Sequence, residues 1–260
     1  MTAVSLISPV TSWRRPPESV ELGCDDIHIW RTTLDRTPPA IQKLLSILAV
    51  DERARADRFH FERDRNHFIV ARAVLRAVLG GYLNQVPERL IFRYGAHGKP
   101  ALAEEVGGEA IRFNVSHSRG EALYAVTRGR EVGIDLERVR SDLAVAEIAA
   151  RFFSVRETAA LRALPIEARP QAFFRIWTRK EALVKARGGG LSLPLNEFEV
   201  SLDSAETVVP RGASRESSDW ARWSIRELDP APGYAAALAM ESQGCRLALW
   251  QWPAIGRQLA

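Results

Sequence analysis

Two stretches of this chain carry ionisable residues at spacings that could do chemistry together. The first is Val132-Gly133-Ile134-Asp135-Leu136-Glu137. Its alternation of apolar and acidic residues predicts a strand, and residues two apart on a strand share a face, so Asp135 and Glu137 stand side by side. The second is Trp177-Thr178-Arg179-Lys180-Glu181-Ala182-Leu183-Val184-Lys185. It predicts a helix, on which residues three or four apart are neighbours. Trp177, Glu181 and Lys185 then form one stripe with Lys180 beside it. If strand and helix face each other, three carboxylates converge with two lysines nearby. Such a set suits a hard divalent cation and a polyphosphate.

The rest of the chain reads as a frame for these two stretches. A strand is predicted over 27–30, then a helix over 40–48 and a second over 52–59 with Asp51 as its N-cap. The second carries Arg53, Arg55 and Arg58, which read as a solvated face or as a grip on an anion. An amphipathic helix over 66–79 stops at Gly80-Gly81. A strand over 90–94 leads into Gly95-Ala96-His97-Gly98-Lys99-Pro100, where glycines free the backbone to approach a ligand and Lys99 sits at the tip. A strand over 111–118 ends in Asn114-Val115-Ser116-His117-Ser118. His117 reads there as a satisfied strand-end histidine or, with Ser116, as a phosphate contact, because no acid and no small-residue elbow completes a hydrolase triad. A strand over 122–127 turns as a hairpin through residues 128–131 into the acidic strand.

A helix is predicted over 142–153, and Ser154 with Glu157 forms a capping box for the next. The helix over 171–187 stops at Gly188-Gly189-Gly190, and Leu193 to Phe198 enters a strand. Further strands are predicted over 223–228 and 234–239. Both halves read as strand, helices, then hairpin, so the fold class is α/β (α+β) with two similar lobes: residues 26–130 and 131–243, flanked by an extension over 1–25 and a tail over 244–260.

Of the 260 residues, 46% are apolar and 26% charged, which is ordinary for a globular protein. No apolar run reaches the length of a membrane span. A short apolar patch precedes Arg14-Arg15, the reverse of a secretory signal, so the cytoplasm is expected. Cys24 and Cys245 have no metal or redox spacing. The net charge of +4 fits an anionic partner. Of 36 basic residues only Lys43, Lys99, Lys180 and Lys185 are lysines, and three of the four fall inside these motifs.

Taken together, Phe113 to Ser118, Gly133 to Glu137, Arg151-Phe152-Phe153-Ser154 with Glu157, Trp177 to Ala186 and Gly188 to Phe198 resemble the Sfp-type 4′-phosphopantetheinyl transferases. Gly98-Lys99-Pro100 and Pro232-Gly233-Tyr234 fit as well, and the resemblance spans roughly residues 27–239 in the family's order. It implies a mostly antiparallel sheet packed with helices in each lobe and a pseudo-twofold arrangement. The active site would lie in the cleft between lobes, and a monomer is expected. Coenzyme A would be the donor substrate and Mg²⁺ the metal. The acceptor would be a serine of an apo acyl, polyketide or peptidyl carrier protein, with no role for nucleic acid or membrane.

Carried over by residue, Asp135, Glu137 and Glu181 would hold the metal. Glu181, or a water it holds, would accept the serine proton, while Lys185 and His117 stabilise charge on the diphosphate. Arg53, Lys99 and Ser116 would hold the nucleotide phosphates, and Lys180 would support phosphate binding or orient Glu181. The chain departs from the family pattern at Arg119, at Gly189 and at Glu52, where a basic residue is frequent. Rival readings are a non-catalytic coenzyme A or nucleotide binder, an Mg²⁺-dependent coenzyme A diphosphate hydrolase, and a nucleic-acid-binding protein. Scattered arginines without interleaved aromatics argue against the last.

Overall fold

One series of elements occurs twice along the chain. A computed structural model describes residues 12–95, 98–104, 110–188, 193–200, 211–212, 220, 222–241 and 244–253. The first series is β1 (Asp26–Thr33), helices α1 (Pro38–Ile47), α2 (Val50–Ala56) and α3 (Glu62–Leu83), the short pair β2 (Phe92–Tyr94) and β3 (Pro100–Leu102), and the hairpin β4 (Ile111–Ser118) and β5 (Glu121–Arg128). The second is β6 (Val132–Arg138), helices α4 (Val145–Phe152), α5 (Val155–Ala163) and α6 (Arg169–Arg187), the short pair β7 (Phe198–Glu199) and β8 (Arg211–Gly212), and the hairpin β9 (Trp223–Leu228) and β10 (Tyr234–Glu241). A last strand, β11 (Arg246–Gln251), follows.

The sheets repeat in the same way. The first has the order β11-β1-β5-β4 and the second β6-β10-β9. In both, the opening strand pairs antiparallel with the last strand of its own hairpin. The long helix of each lobe supplies the core. Ile69, Val74 and Val78 of α3 join Trp30, Phe113 and Tyr124, and Phe173, Ile176 and Leu183 of α6 join Trp223 and Ile225. A third cluster lies between the lobes, where Ile27, Ile29, Leu123 and Ala125 meet Ile134, Leu136, Leu238 and Met240. Opening strands covered on both faces need apolar residues on both, which explains the nearly unbroken burial from Val132 to Leu136.

Several expectations are corrected. Gly80 and Gly81 do not stop α3; the helix runs through them to Leu83, and Asn84 ends it in the left-handed conformation at φ 49°. Asp51 lies inside α2, whose N-cap is Ala49. The turn after β5 is not a hairpin, because β5 and β6 belong to different sheets. The approach to β7 is a 3₁₀ turn at Leu195–Glu197.

Residues 246–251, expected in a tail, form β11 and pair in parallel with β1 in the first lobe's sheet. The described part of the N-terminal extension is docked on β11: Arg14 N donates to Leu249 O and Gln251 N donates to Arg14 O. Expectations falling on residues 1–11, 96–97, 189–192 and 254–260 lie outside the described residues. Among the described residues no helix is long and apolar enough to cross a membrane.

Candidate active site

Helix α6 lies on β6 at Gly133. A Cβ built there would stand 2.0 Å from Ala182 O and 2.4 Å from Ala186 N, so only glycine admits the helix at this distance. The close crossing faces the α6 stripe toward the acidic strand. Val115, Ser116, His117, Asp135, Glu137, Trp177, Glu181 and Lys185 line one cleft of about 430 Å³. Six of the expected site residues therefore come together, together with Trp177. The tryptophan stacks on Phe173 at 5.7 Å and meets Phe152 edge-on at 5.8 Å, so it is wall and core at once.

Asp135 is the fixed point. It is 3% exposed, and its Oδ1 accepts from Lys185 Nζ at 2.5 Å and from Ser116 Oγ at 3.0 Å. Its Oδ2 is buried and has no hydrogen-bond partner among the described residues. Lys185 Nζ also reaches Ser116 Oγ at 3.1 Å and Ile134 O at 3.3 Å. Glu137 accepts from Ser118 Oγ at 2.9 Å.

Burial, then the negative charge of Asp135, pushes the Glu137 carboxyl above its ordinary value. Burial and Asp135 do the same to Glu181, with Glu137 adding to the effect and Lys185 opposing it. Three carboxylates thus crowd one wall against one ammonium group, which is the electrostatic condition that a dication relieves. Among the described residues no three of His, Cys, Asp or Glu converge closely enough to hold an ion as they stand. The lone Oδ2 of Asp135 and the mutual repulsion of its neighbours nonetheless fit an oxygen-seeking metal. His117 stands at the cleft mouth, where partial loss of water and the charges of Lys185 and His67 push its imidazole below its ordinary value.

Three expected contacts lie elsewhere. Lys180 is 0% exposed and points away from the cleft. Its ammonium meets Glu157 Oε2 at 2.9 Å, Leu195 O at 2.7 Å and Phe198 O at 2.5 Å, which occupies all three donors and leaves none for a phosphate. Adjacent helical residues point about 100° apart, so Lys180, expected beside the stripe, turns into the second lobe's core. Arg53 donates to Leu48 O and Ser46 O, closing the end of α1. Lys99 donates to Lys185 O at 2.9 Å and to Glu131 at 3.3 Å, at the last turn of α6.

Ser116, expected as a phosphate contact, joins the lobes together with Asn114 and Ser118, for which the sequence suggests no role. Asn114 Oδ1 accepts from Ile134 N, Ser116 Oγ from Leu136 N and Ser118 Oγ from Arg138 N. The edge N–H groups of β6 are thus satisfied by side chains of β4 rather than by its backbone. The polar period of two in Asn-Val-Ser-His-Ser was the available signal.

Comparison with known proteins agrees with this geometry. Residues 131–239 match the family model of the 4′-phosphopantetheinyl transferase superfamily, and residues 21–128 match that of the 4′-phosphopantetheinyl transferase N-terminal region. The chain is 38% identical over 241 residues to the 4′-phosphopantetheinyl transferase HetI of Nostoc sp., covering 93% of this chain and 98% of that protein. It is 29% identical over 197 residues to the 4′-phosphopantetheinyl transferase Sfp of Bacillus subtilis, covering 76% of this chain and 84% of that protein. A cleft of carboxylates and lysine between two lobes, each matched by its own family model, leads to one assignment: the chain belongs to the 4′-phosphopantetheinyl transferase superfamily.

Proposed function

We propose that this cleft moves the 4′-phosphopantetheine arm of coenzyme A onto a serine hydroxyl of an apo carrier protein and releases adenosine 3′,5′-bisphosphate. The observation that carries the reading is the convergence of Asp135, Glu137, Glu181 and Lys185 on one wall, with Asp135 Oδ2 left without a protein partner.

In the reaction an O–P bond forms from the serine oxygen, the P–O bond to the departing nucleotide breaks, and the serine proton leaves. Glu181, raised above the ordinary carboxylate range, accepts that proton directly or through a water it holds. His117, held below its ordinary range, is largely neutral near pH 7 and offers an N–H to a phosphate oxygen. Lys185 lines the same wall and places a positive charge beside the diphosphate, and Ser116, whose proton is on Asp135, would have to turn it to a phosphate oxygen to contribute. Mg²⁺ held by Asp135, Glu137 and Glu181 would supply neutralisation of the diphosphate charge.

Lys99 stays a proposed phosphate contact, because its ammonium sits at the last turn of the helix that carries Lys185. Arg53, tied to two carbonyls, would have to exchange them to contribute. One chain builds both walls, which supports action as a monomer.

Intact-mass measurement on apo acyl and peptidyl carrier proteins, incubated with the enzyme, coenzyme A and Mg²⁺, tests the proposal. The expected result is a gain of one phosphopantetheine that EDTA abolishes and that Asp135→Ala removes. Coenzyme A cleaved without carrier labelling would point instead to a hydrolase. Binding of coenzyme A with neither outcome would point to a non-catalytic binder.

A further inference from the structure

The side chains of β4 meet β6 in a repeating pattern. Ser116 Oγ accepts from Leu136 N and donates to the carboxylate of the preceding residue, Asp135, at 3.0 Å. Two residues on, Ser118 Oγ accepts from Arg138 N at 3.1 Å and donates to the carboxylate of the preceding residue, Glu137, at 2.9 Å. Asn114 repeats only the first half, because the residue before Ile134 is Gly133 and has no side chain. Each serine is thus an adaptor with one proton and two acceptor lone pairs. It takes a backbone N–H from the second lobe and returns its own proton to an acid of the second lobe.

We propose that Ser118 is a positioning residue for the transferase reaction. From the first lobe it holds the Glu137 carboxylate in the orientation that the cleft requires. The inference rests on the proposed role of Glu137 as one of the working carboxylates. Ser118 touches neither diphosphate nor acceptor in this account and acts only through Glu137. Without its hydroxyl, the carboxylate keeps its charge and its place on the strand but loses the bond that selects one orientation. Partners of this kind, one layer behind a ligating group, typically change metal affinity or activity by about 10- to 100-fold when removed.

The test compares Ser118→Ala, Ser118→Thr, Glu137→Gln and the double variant Ser118→Ala/Glu137→Gln. Each is measured for kcat, for KM toward coenzyme A and the carrier, for the Mg²⁺ concentration at half-maximal rate, and for Mn²⁺ binding by calorimetry without substrates. Ser118→Ala is expected to weaken Mn²⁺ binding and raise the Mg²⁺ requirement by about tenfold, with carrier KM and thermal midpoint near the parent values. Ser118→Thr, which keeps the hydroxyl, should recover most of this. The double variant should be no worse than Glu137→Gln alone, because both changes remove one interaction.

Parent-like Mn²⁺ binding and Mg²⁺ requirement in Ser118→Ala, beside an impaired Glu137→Gln, would overturn the role of Ser118 alone. A fully active Glu137→Gln would overturn the carboxylate reading and this inference with it. If Ser118→Ala fails to fold, Ser118→Cys, a weaker donor of similar size, should show the same metal defect in milder form. Its absence there would overturn the inference.

Discussion

The two lobes solve the same problem of helix attachment with different ions. In the first, Glu52 of α2 accepts the Ala49 N–H at the helix start and pairs with Arg72 and Arg76 of α3. In the second, Glu157 of α5 accepts the Ser154 N–H at the helix start and pairs with Lys180 of α6. Both glutamates are buried, and both tie a short second helix to the long third one. The lobes diverge at their opening strands. β1 is paired on both sides, with β5 and with β11. Among the described residues β6 is backbone-paired only with β10, and its other edge meets side chains of β4. Two of the three acids of the cleft, Asp135 and Glu137, lie on that less-paired strand. The copy whose opening strand is sealed by β11 contributes Ser116 and His117 to the cleft, and the copy whose opening strand meets side chains at its edge contributes the three carboxylates and Lys185.

The largest effect should come from the crossing of α6 over β6. Gly133→Ala puts a methyl group against the backbone atoms Ala182 O and Ala186 N, which cannot yield as a side-chain tip can. Overpacking typically costs about 1–3 kcal/mol, and here the cost should exceed that range and unfold the second lobe. Circular dichroism melts check this; a parent-like midpoint would mean that the crossing is looser than described.

Lys180→Met comes next. It leaves Glu157 buried and unpaired, and loss of one member of a buried pair costs roughly 3–5 kcal/mol. The matching change in the first lobe, Arg72→Met, leaves Arg76 on Glu52 and should cost less, about 1.5–3 kcal/mol, the range for a hydrogen bond to a charged group. Equal losses in denaturant titrations would break the comparison between the lobes. Lys180→Met protein that remains folded should bind coenzyme A as the parent does.

Acid should expose the same pair of designs. Burial works against ionisation of Glu52, but the hydrogen bond from Arg76, the charge of Arg72 and the Ala49 N–H outweigh it and hold the carboxyl below its ordinary value of 4.5. The stabilisation is therefore complete above the unfolded pKa and is lost as pH falls through the lower folded one. Glu52→Gln should be less stable than the parent near neutrality and approach it in acid. A constant gap across the titration would show that the charge of Glu52 contributes nothing. The smallest effect is expected at Val50 and Val155, which open α2 and α5 and are 83% and 88% exposed. Changing either to Ser should alter stability by no more than about 0.5 kcal/mol, unless one of them meets a partner.

Much of the site was legible because it rests on local periodicity. The two-residue spacing of Asp135 and Glu137 and the four-residue spacing of Glu181 and Lys185 survive folding unchanged. The Ser154–Glu157 box is equally local, and it is present. The readings that failed depended on distant contacts. Nothing near Arg246–Gln251 indicates that β1 offers it a free edge. Gly80 and Gly81 read as a helix stop although α3 continues through them to Leu83. Lys180 reads as a neighbour of the cleft, although its ammonium is held by Glu157 on another helix and by the carbonyls of Leu195 and Phe198, none of which is local in sequence. Ser116 and Ser118 likewise show their use only when the second lobe is beside them.

The β4–β6 junction also acts as a key. Acceptors occur on every second residue of β4, with Val115 and His117 between them. Successive side chains on a strand point to opposite sides, so sliding one strand past the other by a single residue would turn every contact over. It would set Val115 and His117 against the N–H groups of Leu136 and Arg138 and strand the serine hydroxyls. Slips by an odd number of residues are therefore penalised at the joint. A chain that assembled its halves out of step would meet unsatisfied polar groups at the joint before it could bring Asp135 near Lys185, so the geometry of the reaction is proofread by the seam that holds it.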